Sequence, residues 1–215
     1  MSGLERWWQQ VRARVQAWTA PRIMPEHLSA GDASTRWRAL QGLRNHAQPA
    51  LLPAVLSLLD DEDVLNRAAA VDVLISWGPN VVLGPVQQAL DTQPRPTKAA
   101  GLLQILAHLP TPENRTFIEP WLQHEADEVK AAAFQALAAL GDDADVPHLT
   151  AALRTEAPVV QQSILAGLCA PAGEAALLAL DAHNDPILQQ LAAQARARIQ
   201  AAMEPEGQQK RKELR

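Results

Sequence analysis

The most chemically suggestive residues are a single adjacent His–Glu pair, His124 and Glu125. An imidazole beside a carboxylate is the kind of donor pair from which a di-iron centre is built. Such a centre needs several of these pairs, because one pair cannot supply six ligands. We therefore interpret His124 and Glu125 as surface residues, and we predict no metal site.

The other histidines do not form a recognisable catalytic pattern. No two of them lie four residues apart on one helix, and the chain has no Ser–His–Asp order and no glycine-rich phosphate loop. They are His27, His46, His108, His148 and His183. We predict no catalytic residue and no cofactor.

The amino-acid composition predicts an all-α fold in a reducing, cytoplasmic setting. Apolar residues make up 47% of the 215 residues, Tyr is absent, and Phe occurs twice. Ala and Leu dominate and favour helix, whereas strand-favouring residues are scarce. The single cysteine, Cys169, cannot form an internal disulfide, and its apolar neighbours indicate a buried, inert thiol. No run of 18 apolar residues is present to cross a membrane.

Charge is unevenly distributed along the chain. Residues 1–46 have a net charge of +4, residues 47–190 of −12, and residues 191–215 of +3. An acidic central region repels phosphate backbones. We therefore expect no nucleic-acid partner.

A repeat of about 31 residues organises the sequence from residue 26 to residue 202. Six segments align on a basic or amide anchor residue. The anchors are Arg36, Arg67, Lys98, Lys130, Gln161 and Gln189. Three residues after most anchors stands a small residue, and four and seven residues after stand apolar ones. Offsets of 3, 4 and 7 describe one face of a helix.

Each copy also contains a shorter apolar stretch before the anchor helix, so we predict helix, turn, helix. The turns hold residues that end helices, as in Gly78-Pro79 and the acidic run at 60–63. Asp32, Asp63 and Asp185 lie four residues before their anchors, where they are expected to cap the second helices. A two-helix unit cannot bury its apolar face alone, so neighbouring units must stack.

The D-x-x-x-R-x-x-A-x-x-x-L pattern resembles HEAT repeats of the short bacterial kind, named after phycobilisome lyases. This resemblance implies a right-handed α-solenoid of five to six helix pairs over residues 21–203. It also implies structural anchors that bridge to turn aspartates. The third and fifth copies depart from the pattern, because Pro94 and Ala157 stand where Asp is expected.

The resemblance places the expected binding surface on a concave face lined by the second helices. Taking offsets 3, 4, 7 and 11 as core, the opposite side is small, smooth and weakly polar, which suits a partner helix or strand. Small or apolar members include Ala69, Leu103, Ala132 and Ala139. The candidate partner-binding residues are Arg38, Gln41, Asp72, Gln104, His108 and Gln135.

Residues 1–20 are predicted to hold a Trp-rich amphipathic helix outside the repeats. Its apolar stripe recurs at helical spacing within residues 3–19, as Leu4, Trp8, Val11, Val15 and Trp18. Two interpretations stay open: a cap on the open end of the array, or a helix that docks on a partner or an anionic membrane surface. The docking candidates are Trp7, Trp8, Trp18, Arg12 and Arg14. Residues 204–215 are predicted to be a polar, disordered tail.

Taken together, these patterns predict a non-catalytic adaptor, scaffold or assembly factor that binds another protein or protein complex. It would be cytoplasmic, or peripheral to the inner face of a membrane through residues 3–19. The alternative is an enzyme on the same scaffold. That enzyme would be a bilin lyase-type chromophore-handling protein, or a DNA glycosylase that uses Trp37, Trp77 and Asp72. The partner, the pathway and the oligomeric state are left open.

Overall fold

The computed structural model describes residues 23–44, 46–168, 177 and 186–203, and its regular elements there are all helical. The predicted all-α class is confirmed for these ranges. The helices are α1 (Pro25–Leu28), α2 (Ala33–Leu43), α3 (Leu52–Ser57), α4 (Val64–Trp77), α5 (Pro79–Asp91), α6 (Pro96–His108), α7 (Arg115–Ile118), α8 (Asp127–Leu140), α9 (Val146–Thr155), α10 (Pro158–Gly167) and α11 (Pro186–Met203). Within the described ranges, no helix combines the length and hydropathy needed to span a membrane.

Several predictions concern residues outside the described ranges. These are the N-terminal helix with Trp7, Trp8, Arg12, Arg14 and Trp18, the thiol of Cys169, the cap at Asp185 and the tail at 204–215. They stay predictions.

The chain divides into two compact units, Met1–Val82 and Leu83–Arg215, with the boundary inside α5. In the first unit, α2 packs against α4. In the second unit, α8 packs between α6 and α10, and α10 also contacts α11. Each unit is therefore built on second helices that lie side by side, as the repeat pattern predicts.

Residues predicted to begin and end the second helices do so in the described structure. The Asp32 carboxylate accepts a hydrogen bond from the Thr35 N–H at 2.8 Å, and Asp63 accepts from the Leu65 and Asn66 N–H groups at 2.8 and 3.1 Å. At the other end, Gly78 and Gly141 have φ angles of 79° and 67° after α4 and α8. Side-chain caps and positive-φ glycines thus set the ends of the second helices.

Two first helices are shorter than their apolar stretches predict. The stretch at 51–59 becomes the six-residue α3 between two 3₁₀ turns, and the stretch at 115–124 becomes the four-residue α7 followed by a 3₁₀ turn at Glu119–Trp121. Pro120 has no N–H to donate to the carbonyl four residues back, which weakens the α-helix there, although α5 does continue through Pro85.

The predicted apolar columns form the core. The residues at offsets 4 and 7 are buried in five copies: Leu40, Leu43, Val71, Leu74, Leu102, Ile105, Phe134, Leu137, Leu165 and Leu168. The last copy departs, because Ala193 is exposed and Arg196 is half-buried. The Arg196 guanidinium donates instead to the Leu177 carbonyl at 3.1 Å.

The anchors do not all bind the way the resemblance implies. Arg36 does bind a turn aspartate, as the resemblance implies, but in the turn of the next copy. It donates from Nε and Nη2 to Asp61, in the turn of the next copy, at 2.6 and 2.9 Å. Lys130 likewise reaches Glu156 of the next copy at 2.8 Å. Arg67 donates to the backbone carbonyls of its own turn, at Asp61 and Glu62. Arg36, Arg67 and Lys130 thus fasten turns, which is a structural role.

A second group of ion pairs stabilises the first helices of the second unit. The repeat pattern did not predict these pairs. Arg115 on α7 donates to both oxygens of Asp145 and, at 2.8 Å, to Asp142. The Asp145 carboxylate is 4% exposed. The hydrogen bond with Asp145 raises the pKa of Arg115 above its usual value.

Candidate partner-binding surface

The predicted binding residues lie on the solvent-facing sides of the second helices, in both units. In the first unit, Arg38 and Asp72 are exposed and Gln41 is half-buried. In the second unit, Gln104 and His108 are exposed on α6 and Gln135 is half-buried on α8. α2 packs on α4 and α6 packs on α8, so each unit brings its own candidates onto neighbouring helices.

These polar residues are only loosely engaged. An Arg38 nitrogen lies 3.3 Å from the Ser34 hydroxyl, and Arg44 lies 3.9 Å from Asp72 with both side chains more than half exposed. His108 Nδ1 contacts the Gln104 carbonyl of its own helix at 2.9 Å. Exposed pairs of this kind contribute little to stability. These side chains can therefore form new contacts at small cost.

Fewer positions of the second helices face solvent than their offsets from the anchor residues predict. Ala69, Leu103, Ala132 and Ala139 were placed there by their offsets, but all four are buried. α8 is covered on two sides, by α6 and by α10, and nine of its fourteen residues are buried. The offsets alone could not show how many neighbours a helix has.

The first unit contains an open apolar groove that the sequence analysis did not select. Its volume is about 420 Å³, and it lies where α2 and α4 begin. Trp37 and Leu65 line it with 44% and 65% of their surfaces exposed, and the neighbouring Val64 is 62% exposed. We call this feature the Trp37 groove. Its lining residues are Ala33, Ser34, Trp37, Asp63, Leu65 and Asn66.

Offset counting missed this groove because Trp37 lies one residue after an anchor, and Leu65 lies two before the next. Neither position belongs to the offsets taken as the concave face. A signal was nevertheless present. The first turn of α4 begins with Val64 and Leu65, where a solvated helix start usually carries polar or acidic residues.

Asn66 gives the groove a buried polar wall. It is fully buried, and its Nδ2 lies 3.3 Å from the Ala33 carbonyl and 3.4 Å from Asp61 Oδ1. Its Oδ1 receives no hydrogen bond from the described residues. An unsatisfied buried acceptor costs about 1–3 kcal/mol. The groove thus combines apolar lining residues with a buried amide whose Oδ1 has no hydrogen bond from the described residues.

The three residues considered for a DNA glycosylase do not share a surface. Trp77 is 7% exposed, and its indole N–H donates to the Leu43 carbonyl at 2.9 Å, so it belongs to the core. Trp37 and Asp72 are exposed. Trp77 is therefore not available to a ligand, and the three residues considered for a glycosylase do not act as one surface set.

The His–Glu pair has a local structural role. His124 Nδ1 accepts from the Ala126 N–H at 3.0 Å, and its ring centroid lies 5.7 Å from that of Trp121. Across the part of the chain that the structure describes, no group of three or more His, Cys, Asp or Glu side chains is arranged to hold a metal ion.

A comparison with models of protein families decides which family this chain belongs to. A family model described as HEAT repeats matches residues 22–102 and again 85–169, which together cover most of the chain. The chain is a HEAT-repeat protein. The α-solenoid class of fold expected from the resemblance is therefore shown. The handedness and the number of pairs stay predictions.

One curated relative is similar over part of this HEAT-repeat protein. It is the bilin biosynthesis protein PecE of Mastigocladus laminosus, which is 32% identical over 108 residues. The match covers 49% of this chain and 39% of PecE. The HEAT-repeat chain thus spans about two fifths of the length of that relative.

Proposed function

We propose that this HEAT-repeat protein is a non-catalytic adaptor or assembly factor that binds another protein through the exposed sides of its second helices. The observation that supports this most is the Trp37 groove. Trp37, Val64 and Leu65 expose about half or more of their surfaces to solvent. An exposed indole that lines an apolar groove is the kind of residue that dominates binding energy when a partner covers it.

The surroundings of the groove resemble the rim of an interface. Arg38 and Gln41 on α2 and Asp72 on α4 lie on the same two helices, and all three reach solvent. Interfaces combine an apolar centre with a polar edge that stays hydrated and fixes orientation. A helix or strand that places an apolar side chain against Trp37 would therefore have polar partners on both helices.

The test is purification of the tagged full chain from its native host, with two matched variants beside it. Leu65→Gln changes the second residue of α4, and Val159→Gln changes the second residue of α10, where Val159 is 45% exposed. We expect a stoichiometric partner with the wild type and with Val159→Gln, and its loss with Leu65→Gln. Equal recovery with all three proteins would place the partner elsewhere.

A bilin-handling role is the second candidate, and the similarity to PecE supports it. A bilin would be a substrate rather than a resident cofactor. It is a flat apolar molecule with two propionates, and Arg38 follows Trp37 directly as an exposed cation. A visible absorbance change when biliverdin is added, lost in both Trp37→Ala and Arg38→Ala, would favour this role over the adaptor role.

The predicted docking of residues 3–19 on a partner or an anionic membrane stays a proposal as well. It is supported by the Trp and Arg composition of that segment, which suits protein and membrane interfaces alike. Removal of residues 1–20 from the tagged chain would abolish partner capture if this segment made the contact.

A further inference from the structure

The Trp37 groove lies close to the point where the N-terminal segment joins the first unit. The described chain begins at Ile23 and forms α1, which packs against α2. The first turn of α2 is one wall of the groove. As a helix, residues 3–19 would be about 25 Å long, and residues 20–22 would add roughly 10 Å of linker before Ile23. Since α2 itself is only about 16 Å long, a helix of residues 3–19 can reach the groove of its own molecule.

The segment and the groove match in apolar character. Within residues 3–19, the stripe formed by Leu4, Trp8, Val11, Val15 and Trp18 would lie on one side of a helix. The groove presents Trp37, Val64 and Leu65 to solvent. An isolated helix of this length is marginal in water, so it needs an apolar surface to be stable. The groove supplies such a surface.

The two also match in charge. Residues 3–19 carry Arg6, Arg12 and Arg14 against a single Glu5. Beside the groove lie Asp32, Asp63 and Glu62, whose side chain is 84% exposed. Asp61 is neutralised by Arg36, which leaves Arg38 as the nearby exposed cation on α2. The rim at the helix starts is therefore acidic on balance and favours a basic segment.

We propose that residues 3–19 fold back as an amphipathic helix and occupy the Trp37 groove of the same molecule. A short tether makes this an intramolecular contact at high effective concentration. The docked state concerns the chain by itself, so it does not rest on the proposed function.

The test is amide hydrogen exchange of residues 3–19 in the full chain, read by mass spectrometry at several protein concentrations. We expect protection in the wild type that does not depend on concentration. In the variants Trp37→Gln and Leu65→Gln, the amides of this segment should exchange about tenfold faster. Removal of one apolar anchor is expected to weaken a contact by about that factor. The matched variant Val159→Gln should exchange it at the wild-type rate.

Three results would overturn the proposal. Protection that rises with protein concentration would assign the groove to the segment of a second copy. Protection that is unchanged in Trp37→Gln and Leu65→Gln would place the segment elsewhere, for example as a cap on the array. No protection in the wild type would leave the groove open. In each case, loss of partner capture with Leu65→Gln would still support the adaptor role.

Discussion

Arg36 links the turns of the first two helix pairs through several hydrogen bonds. Its guanidinium binds both oxygens of Asp61, and its Nη1 donates to the Ala30 and Gly31 carbonyls at 2.8 and 3.2 Å. The hydrogen bond with Asp61 raises the pKa of Arg36. Burial alone would raise the pKa of Asp61, but the hydrogen bonds from Arg36, the Asp63 N–H and Asn66 hold it below its usual value. The pair stays ionised at neutral pH and needs both partners.

Removal of this cation should destabilise the first unit strongly. The Arg36 and Asp61 side chains are only 9% and 4% exposed, so Arg36→Ala leaves a buried carboxylate without a cation, at a cost of about 3 kcal/mol. Arg44→Ala is the control, because its pair with Asp72 is exposed on both sides and contributes under about 0.5 kcal/mol. Equal losses in urea unfolding would contradict the structural role of Arg36.

The cap at Asp32 should give the protein an acid-dependent stability. Hydrogen bonds from the Ser34 side chain and from Thr35 lower the pKa of Asp32 from 3.8 to about 2. A depressed pKa in the folded state means that the contribution is complete above pH 3.8 and disappears as the pH falls towards 2. Asp32→Asn keeps an acceptor but cannot titrate. The stability difference between the two proteins should therefore be constant above pH 5 and shrink below pH 4.

Unfolding midpoints of both proteins from pH 7 to pH 2 would measure this difference. Other carboxylates, including Asp61, titrate in both proteins and cancel in the comparison. A difference that keeps its size down to pH 2 would show that the Asp32 carboxylate is not held in its charged form by the cap.

At the scale of elements, the close approach of α8 and α10 sets the packing of the second unit. Gly167, the last residue of α10, faces the Gln135 carbonyl of α8, and a Cβ atom at that position would also lie 3.1 Å from Ala138 Cβ. The backbone of α8 cannot yield easily, because α6 packs on it as well. Only a glycine lets the two helices approach this closely.

A methyl group at this position should therefore destabilise the second unit. Gly167→Ala is expected to cost about 1–3 kcal/mol through overpacking. Gly31→Ala is the matched control, because a Cβ there meets nothing within 4 Å and the backbone needs no positive φ. Thermal unfolding followed by circular dichroism would compare them. A melting temperature for Gly167→Ala at or above that of Gly31→Ala would contradict the close contact.

The helices and turns differ in how well they could be predicted from the sequence. The second helices, their caps at Asp32 and Asp63 and their buried columns were predictable, because periodicity and capping are local signals. The Trp37 groove was not, since it depends on which turns two neighbouring helices bring together. The bond from Arg115 to Asp145 was also missed, because the first helices share no anchor residue to align. The early end of α7 could have been predicted from Pro120, but the prediction followed the apolar pattern of the stretch instead.

At the scale of the whole molecule, membership of the HEAT-repeat family fixes the architecture and leaves function to the surface. The same scaffold supports binding proteins and enzymes, so the side chains presented by the second helices decide between them. In the described first unit these side chains form an apolar groove with a polar edge. The similarity to PecE covers half of this chain, and it keeps a bilin substrate as the competing hypothesis.

The measurement that tests the central claim most directly is the affinity of the captured partner for wild type and for Trp37→Ala, determined by calorimetric titration. Gln162→Ala, an exposed change on α10, is the control. If Trp37 anchors the partner, Trp37→Ala should weaken binding by about 30-fold, the effect of a hot spot of about 2 kcal/mol, and the control should match the wild type. Affinities equal for all three proteins would contradict an interface centred on the Trp37 groove.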